Sequence, residues 1–478
     1  MKPRTREFHD SARRAIENPA LRRAIATANE SYMHSRANAV AGLPEWNELR
    51  DRAAFVKDEA LDRLGEHLAA LEERIEARGG AVHWAEDGAA ACGIVLEIAR
   101  KAGARSAVKS KSMVTEEIGL NAALEGAGID VVESDLGEYI VQLAGETPSH
   151  IITPAIHKSR GEIAKLLHEK IGTRAGADIP EMTRGAREVL REKFLRADLG
   201  VSGVNFAVAE TGTLVIVENE GNARLSTTLP RVHVAIMGIE KVVPRAADLA
   251  VLLRLLCRSA TGQSITTYVS FIGGPRPPGA ADGPKELHLV ILDGGRSRLW
   301  SDRRMRSALR CIRCGACLNF CPVYERIGGH AYGWVYPGPI GSVITPGLAG
   351  MDEARDLPHA SSLCGRCGEV CPVKIPLPQL LVANRAREAE AGRPGPPWSD
   401  RLAMKLFAWV VGSPARYRIA AGLLRWFLRP ILGARPAARM FGPLRAWTRA
   451  RNLPRPAAES FHARWRRDPA QRAGGKLP

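Results

Sequence analysis

No run of 18 uncharged apolar residues occurs anywhere in the 478 positions, so no helix is expected to span a bilayer. The chain opens Met-Lys-Pro-Arg-Thr-Arg-Glu with no apolar segment, so no secretory leader is expected. Structural disulfides are therefore not expected either. No G-x-G-x-x-G follows the first expected strand, which removes the dinucleotide fingerprint. No Walker loop, zinc-binding helix or serine-elbow motif takes its place, and no fixed-period repeat is present. Acidic residues are scarce at one end. Positions 393–478 hold 18 Lys and Arg against 3 Asp and Glu, or +15 of the chain's net +17, which leaves the other 392 residues near neutral. An apolar content of 45% supports ordinary globular cores. The length suits two or three domains, and the chain reads as cytoplasmic.

Cysteine is also sparse, at nine residues, but seven of them fall between positions 311 and 371. The first run is Cys311-Ile-Arg-Cys314-Gly-Ala-Cys317-Leu-Asn-Phe-Cys321-Pro322. This is the bacterial ferredoxin spacing C-x2-C-x2-C-x3-C-P. Three thiolates two residues apart can converge on one cluster, and the proline turns the chain away. The second run is Cys364-Gly-Arg-Cys367-Gly-Glu-Val-Cys371-Pro372. In two-cluster ferredoxins the fourth cysteine of a run ligates the other cluster. Cys311, Cys314, Cys317 and Cys371 are then expected on cluster one, and Cys321, Cys364 and Cys367 on cluster two.

Cluster two is one thiolate short, and the position where the missing cysteine would fall is Ser361. Three readings stay open: a Ser361 alkoxide ligand, a three-iron cluster, or a four-iron cluster with one iron open to water or a carboxylate. A structural zinc site explains a four-cysteine run closed by proline poorly. Cys92 and Cys257 lie in apolar helical contexts and read as core residues.

Residues 1–78 read as helical, with Phe55, Leu61, Leu64, Leu68, Leu71 and Ile75 marking one apolar stripe over positions 53–77. The helix is expected to stop at Gly79-Gly80. Strands are expected at 81–84, 106–109, 129–133 and 150–153, with helices between them, one capped at Ser112. That alternation implies parallel pairing. Further strands at 204–210, 213–218, 233–237, 265–272 and 286–292 are expected to continue the same mixed sheet, so an α/β domain spans 79–300. Residues 301–391 form an α-helical ferredoxin-like domain. Its linker carries Gly329-His330-Ala331-Tyr332-Gly333 and Tyr336-Pro337-Gly338-Pro339-Ile340-Gly341. It reads either as an insulating loop or as a means of placing His330 or Tyr336 near the open iron. Residues 392–478 form a basic tail. Amphipathic helices are expected at 402–411 and 419–432, and disorder from about Leu453. Five of the nine Trp lie there: Trp398, Trp409, Trp426, Trp447 and Trp465. Basic residues mixed with Trp suggest an anionic partner, with a membrane face or an acidic protein preferred over nucleic acid.

A polar pocket is also expected in the α/β domain. Glu210-Thr211-Gly212-Thr213 makes a tight turn whose hydroxyls and N–H groups suit a carboxylate or phosphate. Lys109 and Lys111 flank a helix start, and Ser202, Asn205 and the 218–222 turn complete the set. The opposing reading is that the turn is merely satisfied and the lysines are solvated.

Together, Lys109-Ser110-Lys111-Ser112-Met113, Ala209-Glu210-Thr211-Gly212-Thr213, the two linker motifs, the cysteine runs and the Arg/Trp-rich tail form one pattern. In these the chain resembles, over nearly its whole length, the iron-sulfur protein family of the bacterial L-lactate utilisation complex. The resemblance implies electron transfer in the oxidation of L-lactate to pyruvate alongside partner subunits. It also implies a sheet akin to the sugar-phosphate isomerase and CoA-transferase group. Seven cluster cysteines are usual in that family. The alternative is an isomerase- or CoA-transferase-like enzyme with Glu210 as base or nucleophile and the clusters as a redox sensor.

Overall fold

The computed structural model describes residues 4–390, 398–432 and 455–467. The chain divides into two compact units, Met1–Ala391 and Gly392–Pro478. The first unit opens with four helices: α1 (Phe8–Glu17), α2 (Pro19–Ala41), α3 (Trp46–Asp62) and α4 (Leu64–Glu76). Asn18 starts α2, its side-chain oxygen accepting from the N–H groups of Ala20 and Leu21. Pro19 takes the first position, where no amide hydrogen is needed. The single helix expected over 53–77 is two. It breaks at Arg63, where φ moves to −115°. Phe55 departs from the expected stripe and is 57% exposed, because α3 buries Ala53, Val56, Ala60 and Leu61 instead.

Ten strands follow: β1 (Ala81–Ala85), β2 (Ser106–Lys109), β3 (Asp130–Glu133), β4 (Leu199–Gly203), β5 (Phe206–Val208), β6 (Thr213–Glu218), β7 (Val232–Gly238), β8 (Val242–Val243), β9 (Tyr268–Ile272) and β10 (Glu286–Leu292). They form two sheets, not the one mixed sheet expected. Six strands make a wholly parallel sheet in the order β1-β10-β7-β4-β2-β3. The other four make a smaller sheet, β8-β5-β6-β9, in which only β5–β8 is parallel. Both faces of the large sheet are covered. Along β7, Val234 and Ile236 enter one core while Ala235 and Met237 enter the other, which is why the strand is apolar on both faces save for buried His233.

Two more expectations fail locally. Residues 150–152 are bends and 153 is irregular, so no strand forms there. Ile152 and Thr153 direct their N–H groups onto Nδ1 of buried His150, which curls the chain instead of extending it. The strand β4, Leu-Gly-Val-Ser-Gly, is one that the sequence pattern does not announce. Its small residues hide a strand signal but serve packing, since a Cβ on Gly200 would collide with the Ser226 carbonyl.

The cysteine region consists of short helices and loops, including Ala316–Asn319, Pro322–Ile327, Gly338–Leu348 and Arg366–Glu369. It shares one core with the leading helices: Leu309, Tyr324, Ile340 and Leu381 pack in the same cluster as Ile25, Trp46 and Val56. In the second unit the helices Trp398–Val411 and Pro414–Leu432 form as expected. Trp398, Phe407, Trp409 and Trp426 on them are exposed. Phe461–Arg467 is helical although disorder was expected from Leu453. Trp447 and residues 468–478 lie outside the described residues. Among the described residues, no helix is long and apolar enough to cross a membrane.

Candidate functional site

The two cysteine runs trace the same backbone path. Arg313 precedes Cys314 with φ 60°, and Leu363 precedes Cys364 with φ 54°. Gly315 and Gly365 follow at 73° and 88°. Left-handed backbone is uncommon for Arg and Leu. In each run it turns an N–H onto the side chain two residues back. The Arg313 N–H donates to Cys311 Sγ at 3.4 Å, and the Leu363 N–H donates to Ser361 Oγ at 3.1 Å. A short helix then carries Cys317 or Cys367. The last cysteine of each run accepts further N–H groups: Cys321 from Tyr324 at 3.5 Å, and Cys371 from Ile375 at 3.4 Å. Ser361 therefore stands in the second run where Cys311 stands in the first.

Cys314, Cys321, Cys367 and Cys371 are buried, Cys311 and Cys317 half-buried, and Cys364 exposed. Burial and neighbouring thiols raise five of them. Burial first, then the nearby Cys371, push the Cys314 thiol up. Burial, Cys311 and Cys314 do the same to Cys317, with Cys367 and Cys371 contributing less. Cys371 is pushed up to about 11 by burial, and Cys311 adds to it. Cys367 rises to about 12 through burial and then Cys321, with Cys364 a smaller contributor. Cys321 rises through burial, and Cys364 adds to it. An all-thiol donor set with N–H groups at three of its sulfurs fits iron-sulfur clusters.

Arginines from the leading helices surround these thiols. Arg50 Nε and Nη2 donate to the Cys371 carbonyl at 3.0 and 2.9 Å, and Nη2 also reaches the Glu369 carbonyl at 2.8 Å. Arg36 Nη2 donates to the Val370 carbonyl at 2.9 Å, and its guanidinium lies 5.3 Å from the Trp46 ring and 5.4 Å from that of Phe320. A buried ionic network joins the α/β region to the first cysteine run. Arg296, 1% exposed at its side chain, donates from Nε to Glu240 Oε2 at 2.7 Å. Its Nη1 and Nη2 donate to Glu117 at 2.9 and 2.7 Å. Glu117 Oε2 also accepts the Tyr336 hydroxyl at 2.7 Å. Glu240 Oε1 accepts Arg313 Nη2 at 3.2 Å, and the Arg313 guanidinium lies 4.6 Å from the Tyr336 ring centre. Gly238 must be glycine here, because a Cβ would meet Glu240 Oε2 and Arg296 Nε.

A cavity of about 360 Å³ opens beyond the carboxyl ends of β2, β4 and β7, the usual position for ligands in open α/β sheets. Lys111, Ser112, Asn205 and the 218–222 turn line it, as expected, and Arg313 and Tyr336 form part of its wall. Four expected residues lie elsewhere. Lys109 is buried between Glu116 at 2.9 Å and Glu133 at 2.7 Å, because its strand position points inward. Ser202 pairs with buried His233 at 2.8 Å. Glu210 Oε2 accepts the Ala246 N–H at 3.0 Å, and Thr211 donates to Thr213 Oγ1 at 2.9 Å. These four side chains are satisfied where they stand. His330 bonds the Thr147 carbonyl at 2.7 Å and packs edge-on against His157, so its partners are not cysteines. Tyr336 lies beside Arg313 of the first run rather than beside the second. Sequence reasoning misses Arg36, Arg50, Glu117, Glu240 and Arg296. Only Arg313, inside the C-x-R-C motif, carries a visible signal.

Three family models match the chain: "LUD domain" at residues 68–292, "4Fe-4S dicluster domain" at 307–375 and "Lactate utilisation protein B, C-terminal" at 384–469. The "Uncharacterized electron transport protein YkgF" of Escherichia coli strain K12 is 45% identical over 97% of this chain and 97% of its own. "Lactate utilization protein B" of Bacillus cytotoxicus is 44% identical over 96% of this chain and 97% of its own. The protein of that name in Bacillus cereus strain B4264 is 44% identical over 98% of both.

Proposed function

This chain belongs to the lactate utilisation protein B family, and from that premise we propose that it is an iron-sulfur electron-transfer subunit in lactate utilisation. The observation that carries this reading is the matching backbone path of the two cysteine runs, each with a left-handed residue whose N–H turns onto the side chain two positions back. Cys311, Cys314, Cys317 and Cys371 hold the first cluster. Cys321, Cys364 and Cys367 would hold the second, with Ser361 at the position of its missing fourth thiolate. The matching bonds to Cys311 Sγ and Ser361 Oγ support that placement.

When bound, such clusters take up and release single electrons. The chain's own residues decide where that happens. N–H groups at Cys311, Cys321 and Cys371 steady the thiolates and favour the reduced state. Arg36 and Arg50 place positive charge beside Cys371 and anchor its loop. Exposed Cys364 brings the second cluster within reach of a partner's redox group. The residues that would hold the first cluster adjoin the buried network and the cavity through Arg313. Other subunits of a complex oxidising L-lactate to pyruvate are the partners, and the exposed Trp and basic charge of the second unit form a contact surface for an anionic partner or membrane face. The acyl-transfer alternative is not favoured, because Glu210 lies outside the cavity lining, with its carboxylate accepting the Ala246 N–H.

The test uses the full chain purified without oxygen, mixed with its partner subunits. Adding L-lactate should bleach the cluster absorbance and produce the spin signals of reduced clusters. Acyl transfer to or from coenzyme A with no electron acceptor, and clusters unmoved by lactate, would contradict the reading.

A further inference from the structure

Charge is unevenly placed around the two cysteine runs. Glu240 gathers three buried cations beside the first. Its carboxylate accepts from Arg296 and Arg313, and its carbonyl accepts the Lys57 ammonium at 2.6 Å. Lys57, 2% exposed on α3, also donates to the Val242 carbonyl at 3.3 Å and, among the described residues, to no carboxylate. Arg296, Arg313 and Lys57 are thus three cations set against two carboxylates, Glu117 and Glu240. A surplus positive charge held away from water is costly unless another negative charge lies near. The first cysteine run supplies one. Asp58, the residue after Lys57, grips Arg310 at 2.6 and 2.7 Å, directly before Cys311. Burial works against the charge of Lys57, Arg313 and neighbouring Lys241, and the Cys311 thiolate favours it in all three. The Arg313 side chain is 10% exposed, and its Nη1 is buried with no hydrogen-bond partner among the described residues. The second run offers an internal comparison. Its left-handed residue before the cysteine is Leu363, 38% exposed, where the first run has Arg313. Cys364 beyond it is exposed, and Arg366 pairs with Glu369 at the surface. The same turn carries a buried guanidinium in one run and an uncharged side chain in the other.

We propose that Arg313 and Lys57 raise the reduction potential of the first cluster, Arg313 Nη1 donating to one of its sulfurs and both cations offsetting the negative charge that an added electron brings. The proposal rests on the electron-transfer reading, because it assigns these side chains a role toward a cluster held by Cys311, Cys314, Cys317 and Cys371. Reduction moves one electron from the donor onto the cluster and breaks no bond. A fixed cation beside it therefore favours the reduced form through charge alone. An N–H directed at a sulfur acts in the same direction. The second cluster, beside exposed Cys364 and uncharged Leu363, lies outside the control of these two side chains.

The experiment is a mediated redox titration of the cluster-loaded full chain, read by spin resonance so that each cluster is followed separately. The variants are Arg313→Leu, which copies the residue that the second run carries on the same turn, Arg313→Lys, and Lys57→Met, which keeps the length and removes the charge. Arg313→Leu and Lys57→Met should each make reduction of the first cluster at least tenfold less favourable, about 59 mV for a one-electron couple, and leave the second cluster where it was. Arg313→Lys keeps the charge and should shift the first cluster less than Arg313→Leu does. Lys57→Met reports on the cluster even if Arg313→Leu loses iron. A first-cluster potential that does not move in cluster-loaded Lys57→Met overturns the proposal and leaves Lys57 as a bolt between α3 and β8. An unmoved potential in cluster-loaded Arg313→Leu also overturns it and assigns Nη1 to the Tyr336 ring, 4.6 Å from the guanidinium. Equal shifts in both clusters overturn it as well, because general loosening would produce them. Each of these results leaves electron transfer standing, whereas a chain that never holds iron overturns both readings.

Discussion

Glu240→Gln tests the buried network that ties the α/β region to the first cysteine run. In the wild type, Glu240 is 2% exposed and bonds Arg296 and Arg313 through separate oxygens. The amide leaves Arg296 with Glu117 alone and Arg313 with no carboxylate. Removing one partner of a buried ion pair costs about 3–5 kcal/mol. Titration provides a second route to the magnitude. Burial pushes the Glu240 carboxyl up, but Arg296 and then Arg313 outweigh it and hold it at about 2, against an ordinary 4.5. That difference of 4.5 − 2 corresponds to about 3 kcal/mol. The folded value is the lower one, so the stabilisation is fully present above pH 4.5 and disappears as pH falls toward 2. Anaerobic urea unfolding, followed by far-ultraviolet dichroism and cluster absorbance, should show Glu240→Gln less stable by about 3–5 kcal/mol at pH 7. The gap should narrow below pH 4.5. A loss under about 1 kcal/mol at pH 7, or a gap that does not change with pH, would refute the reasoning.

Cys371→Ser should damage the first cluster although it lies in the second run; spin-resonance spectra in which only the second cluster changes would contradict the crossover. Ser361→Cys should supply a fourth thiolate and lower the second cluster's potential in a redox titration, and an unchanged potential would mean residue 361 does not face the cluster. Buried His150 and His233 are each held down at about 3 by burial, from an ordinary 6.5. Their folded values are the lower ones, so stability should fall as pH drops below 6.5, by up to about 1.4 kcal/mol per pH unit for each. Urea midpoints that stay level from pH 7 to pH 5 would count against neutral buried imidazoles.

What can be read in the sequence is local. The cysteine spacing follows from cluster geometry over a dozen residues, and counting back along it leads to Ser361. The Ser112 cap and the glycine stop after Ile75 are likewise short-range chemistry. The failures are of longer reach. Lys109 looks like a solvated or anion-binding lysine, because nothing adjacent reveals that Glu133, 24 positions on, lies 2.7 Å away. Glu240 and Arg296 are 56 positions apart in sequence, and only the β7 and β10 pairing brings their segments together. The 150–153 segment looks extended, but His150 turns its ring nitrogen onto the following N–H groups and curls it. The second sheet is invisible as a separate object, because strand alternation says which faces are buried and not which strands are neighbours.

The central claim, two clusters held by seven cysteines, is tested most directly by iron and acid-labile sulfide content of the full chain purified without oxygen, with spin-resonance spectra before and after chemical reduction. The expected result is iron and sulfide for two clusters per chain and two interacting paramagnetic signals on reduction. Colourless protein lacking iron and sulfide, or iron sufficient for one cluster only, would contradict it.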